Sequence, residues 1–145
     1  MSKFETTQVP QANSLGMVCD IVALVDSGLS EKRDLAREVG IVAREIDYYQ
    51  YAVQILGLGK VSGGRLSITE RGRELLQVCT PEERLIVLKH AIQSSDLFKK
   101  LFQSCGTVHP PKDQIVEFLL KHSNLNRTTA RRRANTMFAW LKIIE

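Results

Sequence analysis

The 145-residue chain is 43% hydrophobic and 25% charged, with a formal net charge of +4; that apolar content is enough to bury a core in one domain or two very small ones, and it argues against a disordered chain. The charge is unevenly placed. Residues 1–80 carry nine Lys and Arg against ten Asp and Glu, and residues 81–145 carry eleven against six, so a basic partner surface belongs to the second half. Cys19, Cys79 and Cys105 are widely spaced without a C-x-x-C pair, which argues against a disulfide framework or zinc ribbon; with no apolar run of transmembrane length, the expectation is a soluble cytoplasmic protein.

In chain order, residues 1–13 are polar and are expected to form a flexible arm. A helix from Leu15 to Val25 places Val18, Ile21, Val22 and Val25 on one face and ends at Gly28. Ser30 is the expected cap of a short helix, Glu31 to Val39, closed by Gly40. A third helix, Ala43 to Leu56, spaces Ile46, Tyr49, Val53 and Leu56 three, four and three apart. Helix, short helix, turn and helix is a helix-turn-helix order. Leu58 to Ile68 then reads as a hairpin turning at Gly63-Gly64, which would make a wing, and Thr69 caps another helix.

A boundary falls near Cys79, dividing an expected winged-helix domain, residues 14–79, from a helical domain, residues 80–145, that is helix-turn-helix-like but lacks a clear wing. Thr80-Pro81-Glu82-Glu83 predicts a helix start with a capping box, and the helix it opens carries Leu85, Leu88 and Ile92. Helices follow from Asp96 to about Ser104 and, after Pro110-Pro111, from Lys112 to His122. The last helix begins at Arg127. Its spacing of Ala134, Met137, Leu141 and Ile144 echoes that of the third helix, so the fold class is mainly α with a small β-wing, in tandem winged-helix or helix-turn-helix units.

The Arg127 helix is the strongest functional signal. Ala130, Ala134, Met137, Leu141 and Ile144 make an apolar stripe with Trp140 at its edge as a core residue, while Arg127, Arg131, Arg132, Asn135, Thr136 and Lys142 point elsewhere. Arg131, Arg132 and Arg133 fall in the first turns, where the helix dipole favours an anion, and Thr128 and Thr129 add hydroxyl donors. Arginine suits bidentate contacts to phosphate or guanine. A solvated basic face is the plainer alternative. In the first unit Arg44, Tyr48, Gln50, Tyr51 and Gln54 are expected to be exposed, but Glu45 and Asp47 would repel phosphate. Tyr48 and Tyr51 suit a protein partner, a sister subunit or bases equally. Lys60 and Arg65 bracket the hairpin tip and either touch phosphates or only solubilise the loop.

Signals for catalysis are missing. No Asp or Glu is followed two residues later by Lys, and no P-loop, H-E-x-x-H or G-x-S-x-G motif occurs. His90, His109 and His122 stand far apart. No catalytic residue, metal site or cofactor is expected.

The run AREIDYYQYAVQILGL from Ala43 to Leu58, followed by ITERGR from Ile68 to Arg73, resembles winged-helix modules found beside or within bacterial restriction-modification proteins. The run TARRRANTMFAWL from Thr129 to Leu141 is similar to that family's C-terminal segment. The resemblance implies DNA recognition with cleavage left to another domain or subunit; its pattern positions are Arg44, Tyr48, Tyr49, Arg132, Arg133 and Trp140, with Tyr49 and Trp140 serving packing. The combined expectation is a non-enzymatic, sequence-recognising double-stranded DNA-binding protein. It would be a targeting subunit of a restriction or defence system or a transcriptional regulator, working as a homodimer or with a catalytic partner subunit. The contact residues would be Arg127, Thr128, Thr129, Arg131, Arg132, Arg133, Asn135 and Lys142, with Arg44, Tyr48, Lys60 and Arg65 from the first unit. The competing expectation is a protein-interaction adaptor or dimerisation module that does not touch DNA.

Overall fold

The computed structural model describes residues 3–145. It is mainly helical with one small sheet. A short 3-10 turn, Thr6–Gln8, leads into α1 (Leu15–Asp26), α2 (Lys32–Val39) and α3 (Ala43–Ile55), then β1 (Gly59–Ser62) and β2 (Arg65–Ile68), then α4 (Glu70–Gln77), α5 (Pro81–Ser94), α6 (Asp96–Cys105), α7 (Lys112–His122) and α8 (Arg127–Ile143).

Side-chain caps set several of these starts. Ser14 accepts from the Met17 amide at 3.1 Å, Thr80 from Glu83 at 3.1 Å, Ser95 from Phe98 at 3.3 Å and Asn126 from Thr129 at 2.9 Å. Thr69 does two jobs: its hydroxyl accepts from the Gly72 amide at 3.3 Å and donates to the Gly57 carbonyl at 2.6 Å, tying the start of α4 to the end of α3. Two expected caps differ. The cap of α2 is Glu31 rather than Ser30, and it makes no side-chain hydrogen bond. At α5 the Glu83 carboxylate accepts from the Thr80 hydroxyl at 3.0 Å and not from the Thr80 backbone N–H, so the reciprocal capping box expected there is not closed.

β1 and β2 pair antiparallel, Lys60 opposite Ser67 and Ser62 opposite Arg65. Gly63 and Gly64 both have positive φ, 59° and 78°, as a two-residue turn of the primed type requires. The hairpin packs on α1, α3 and α4, with Leu66 buried and Lys60, Ser62, Arg65 and Ser67 facing outward.

One continuous cluster of buried residues runs through both halves of the chain, from Val9 to Ile144. Leu85 departs from its expected place on the inner face of α5: it is 39% exposed and the adjacent Ile86 57%, while Val87, Leu88, Ala91 and Ile92 make the buried stripe. The expected flexible arm is corrected as well. Within the described residues it is a docked segment, with Val9, Pro10 and Ala12 buried. The Phe4 amide donates to the His122 carbonyl at 2.8 Å, and Phe4 pairs with Ser123 as a parallel bridge. Met1 and Ser2 lie outside the described residues.

Candidate nucleic-acid interface

α8 is long enough for its two sides to do different work. It packs chiefly on α7, burying Ala130, Ala134, Met137, Trp140 and Leu141. The opposite stripe, Thr128, Arg131, Arg132, Asn135 and Lys142, is exposed, as the 3.6-residue period requires.

The cations on this stripe are not equivalent. Lys142 is paired with Glu145 at 3.2 Å and lies 5.3 Å from the centre of the Phe138 ring. Arg127 is paired with Glu117 at 3.2 Å across the α7–α8 turn. Arg131 and Arg132 form no ion pair among the described residues, so their guanidinium groups face water with all their donors available. At the same end Asn126 accepts from the Thr129 amide; the Thr129 side chain is half-buried and Thr128 is exposed.

Arg133 is the main correction to the expected contact set. It is only 7% exposed. One terminal nitrogen donates to the carbonyls of Thr6 and Val9, both at 2.8 Å, and the other to the Thr6 hydroxyl at 2.9 Å. Burial lowers its pKa from the ordinary arginine value, with the Tyr48 phenol acting in the opposite direction. Thr136, expected on an open side, is buried and donates to Asn13 Oδ1 at 2.7 Å. The spacing held the signal: Ala130, Arg133, Met137, Trp140 and Ile144 follow one another by three, four, three and four residues, which puts Arg133 inside the buried stripe and not beside it.

The outer face of α3 is largely occupied by the chain itself. The 3-10 turn rests against α3. Tyr51, Gln54 and Ile55 share a recess of about 300 Å³ with Phe4, Thr7 and Gln8 and with Ser95, Asp96 and Leu97 at the start of α6. Tyr48 is half-buried, and the Tyr49 hydroxyl accepts from the Ser14 amide at 3.4 Å. Gln50, expected on the surface, is buried. At the start of the helix Arg44 is exposed. Lys32 pairs with Asp47 at 2.6 Å, a hydrogen bond and charge attraction that raise the lysine pKa and neutralise the acid that would face a phosphate. On the hairpin, Lys60 is exposed and Arg65 reaches back to Glu31 at 3.8 Å.

The structure thus gathers Thr128, Arg131, Arg132, Asn135 and Lys142 on one stripe, places Lys60, Arg65 and Arg44 on the other half of the chain, and removes Arg133 from the surface. Among the described residues no group of three or more His, Cys, Asp or Glu is arranged to hold a metal ion, and no helix is long and apolar enough to cross a membrane. Comparison with characterised proteins and with solved structures returns no match. A family model does match, over residues 17–145, and by it the chain belongs to the DUF7226 family, a domain of unknown function.

Proposed function

We propose that this chain is a non-enzymatic duplex-DNA-binding protein, a targeting or regulatory subunit that leaves any chemistry to a partner. In this reading the first half is a winged helix and α7–α8 a second, wingless helix-turn-helix unit. The exposed stripe of α8 meets the phosphate backbone. The observation that carries the reading is the pair Arg131 and Arg132, exposed and free of ion pairs among the described residues, on a helix whose neighbouring cations Arg127 and Lys142 are already partnered. Two adjacent unpaired arginines on an exposed helix face, with their fork-shaped donors open to water, favour anion contact over internal structure. Lys60, Arg65 and Arg44 are secondary contributors.

The test is a salt titration with fluorescently labelled duplex DNA of random sequence. Each neutralised phosphate adds a slope of about −0.9 in log K against log salt. Binding that strengthens steeply as salt falls supports the reading; no binding at low salt, or a flat dependence, overturns it. A protein-interaction adaptor is the second reading, favoured by the exposed Leu85 and Ile86 on α5. It would show as salt-insensitive association that Ile86→Ser weakens.

A further inference from the structure

The segment 4–13 lies between the two halves of the chain and is hydrogen-bonded to the second of them. Among the described residues, every side-chain hydrogen bond between residues 1–79 and residues 80–145 runs to this segment: Arg133 to Thr6 and Val9, Thr136 to Asn13, and Trp140 to the Ala12 carbonyl at 3.0 Å. Among the described residues no ion pair crosses between the halves. On its other side the same segment rests on α3, with the Ser14 amide on Tyr49. Arg133 is central because it binds main-chain carbonyls three residues apart. A planar guanidinium fork can serve two carbonyls and a hydroxyl at once; a lysine ammonium, a single point of charge, cannot keep that geometry.

We infer that Arg133 is a positioning residue: it clamps segment 4–13 between α3 and α8 and thereby fixes how the two halves present their basic groups to one ligand. The geometry stands by itself, while the consequence for DNA rests on the reading given above. With the clamp closed, the stripe of α8 and the Lys60, Arg65 and Arg44 group are held at one separation and engage a duplex together. With it open, each half binds separately and the gain from simultaneous engagement is lost.

The experiment compares the full chain with Arg133→Lys and Arg133→Ala, reading amide hydrogen exchange without DNA and duplex binding across a salt series. The clamp predicts that both substitutions, lysine included, speed exchange at the Phe4 and Ser14 amides about tenfold or more, the scale of one lost charge-assisted hydrogen bond. It also predicts that both weaken DNA binding about tenfold or more and flatten the salt slope by more than one unit. Unchanged exchange in both variants overturns it. So does binding that survives Arg133→Lys but loses about one unit of slope in Arg133→Ala, the signature of a direct phosphate contact. If the wild-type chain binds no DNA, the DNA reading fails, and faster exchange in the variants still supports the clamp. Should the Arg133 variants not fold, Thr6→Ala, which removes the hydroxyl that Arg133 donates to and alters an exposed residue, carries the test: faster exchange at Phe4 and Ser14 supports the clamp and unchanged exchange overturns it.

Discussion

Trp140 on α8 donates its indole N–H to the carbonyl oxygen of Ala12 at 3.0 Å, and its ring lies 6.1 Å from that of Phe98 on α6, within 18° of parallel. The side chain is fully buried, so one residue closes the C-terminal core and holds the N-terminal segment. Trp140→Phe keeps most of the apolar area but leaves the Ala12 carbonyl without its donor. The expected loss is about 1–3 kcal/mol, the cost of an unsatisfied buried acceptor. Urea unfolding followed by far-UV circular dichroism checks it; a loss under half a kcal/mol would mean that water replaces the indole.

Gly72 tests the join between hairpin and helix. A Cβ at this position would collide with the Leu58 carbonyl oxygen and the Ile68 side chain, the first of which is backbone and has little room to move. Gly72→Ala, normally favourable inside a helix, is therefore expected to destabilise by about 1–3 kcal/mol through overpacking. A stability equal to or above wild type would show that α4 shifts freely on the hairpin.

Much of the architecture is legible because it is written in local chemistry. Gly63-Gly64 marks the hairpin turn, Thr69 and Thr80 mark helix starts, and the α7 bounds follow from Pro110-Pro111 and the Ile115, Phe118, Leu119 stripe. The docked N-terminal segment is not legible in the same way. Its residues are mostly polar and carry no period, and they are fixed by Arg133, Thr136 and Trp140, more than 120 residues away. The misreading of Arg133 as a surface contact has the same origin. Arginine is almost never fully buried unless paired, and two of the three partners here are main-chain carbonyls that any sequence would offer. Leu85 illustrates the opposite limit: its spacing from Leu88 and Ile92 fits a buried face, yet the α5 core is built from Val87, Leu88, Ala91 and Ile92.

Stability should fall on mild acidification, with His122 contributing. Its pKa is lowered from the ordinary histidine value by burial first and then by the charges of Lys100 and Lys121, and its ring sits 4.7 Å from that of Phe118. The unfolded chain therefore binds the proton more readily than the folded one. Stability rises with pH through the window below the ordinary histidine pKa of about 6.5, and it is lost as pH falls through that window. His122→Gln removes this component. The check is thermal unfolding between pH 7.5 and 5.5: the variant should lose less stability over this range than wild type, and equal losses would assign the acid sensitivity elsewhere.

The α8 stripe and the hairpin can be separated by mutation because neither the Arg131–Arg132 pair nor the Lys60–Arg65 pair holds the fold together. Arg131 and Arg132 are exposed and unpaired among the described residues, and the buried stripe beside them is untouched by truncation. Changing both to alanine should leave unfolding free energy within about half a kcal/mol. On the DNA-binding reading, the double variant loses two phosphate contacts, which flattens the salt slope by about 1.8 units and weakens all sequences alike. If instead one of them reads a base, the loss is about 1–3 kcal/mol and falls mainly on the preferred site. Lys60→Ala with Arg65→Ala should produce a smaller effect, since Arg65 already spends part of its charge on Glu31. Binding that depends on the hairpin pair and ignores the α8 pair would move the interface to the first half of the chain.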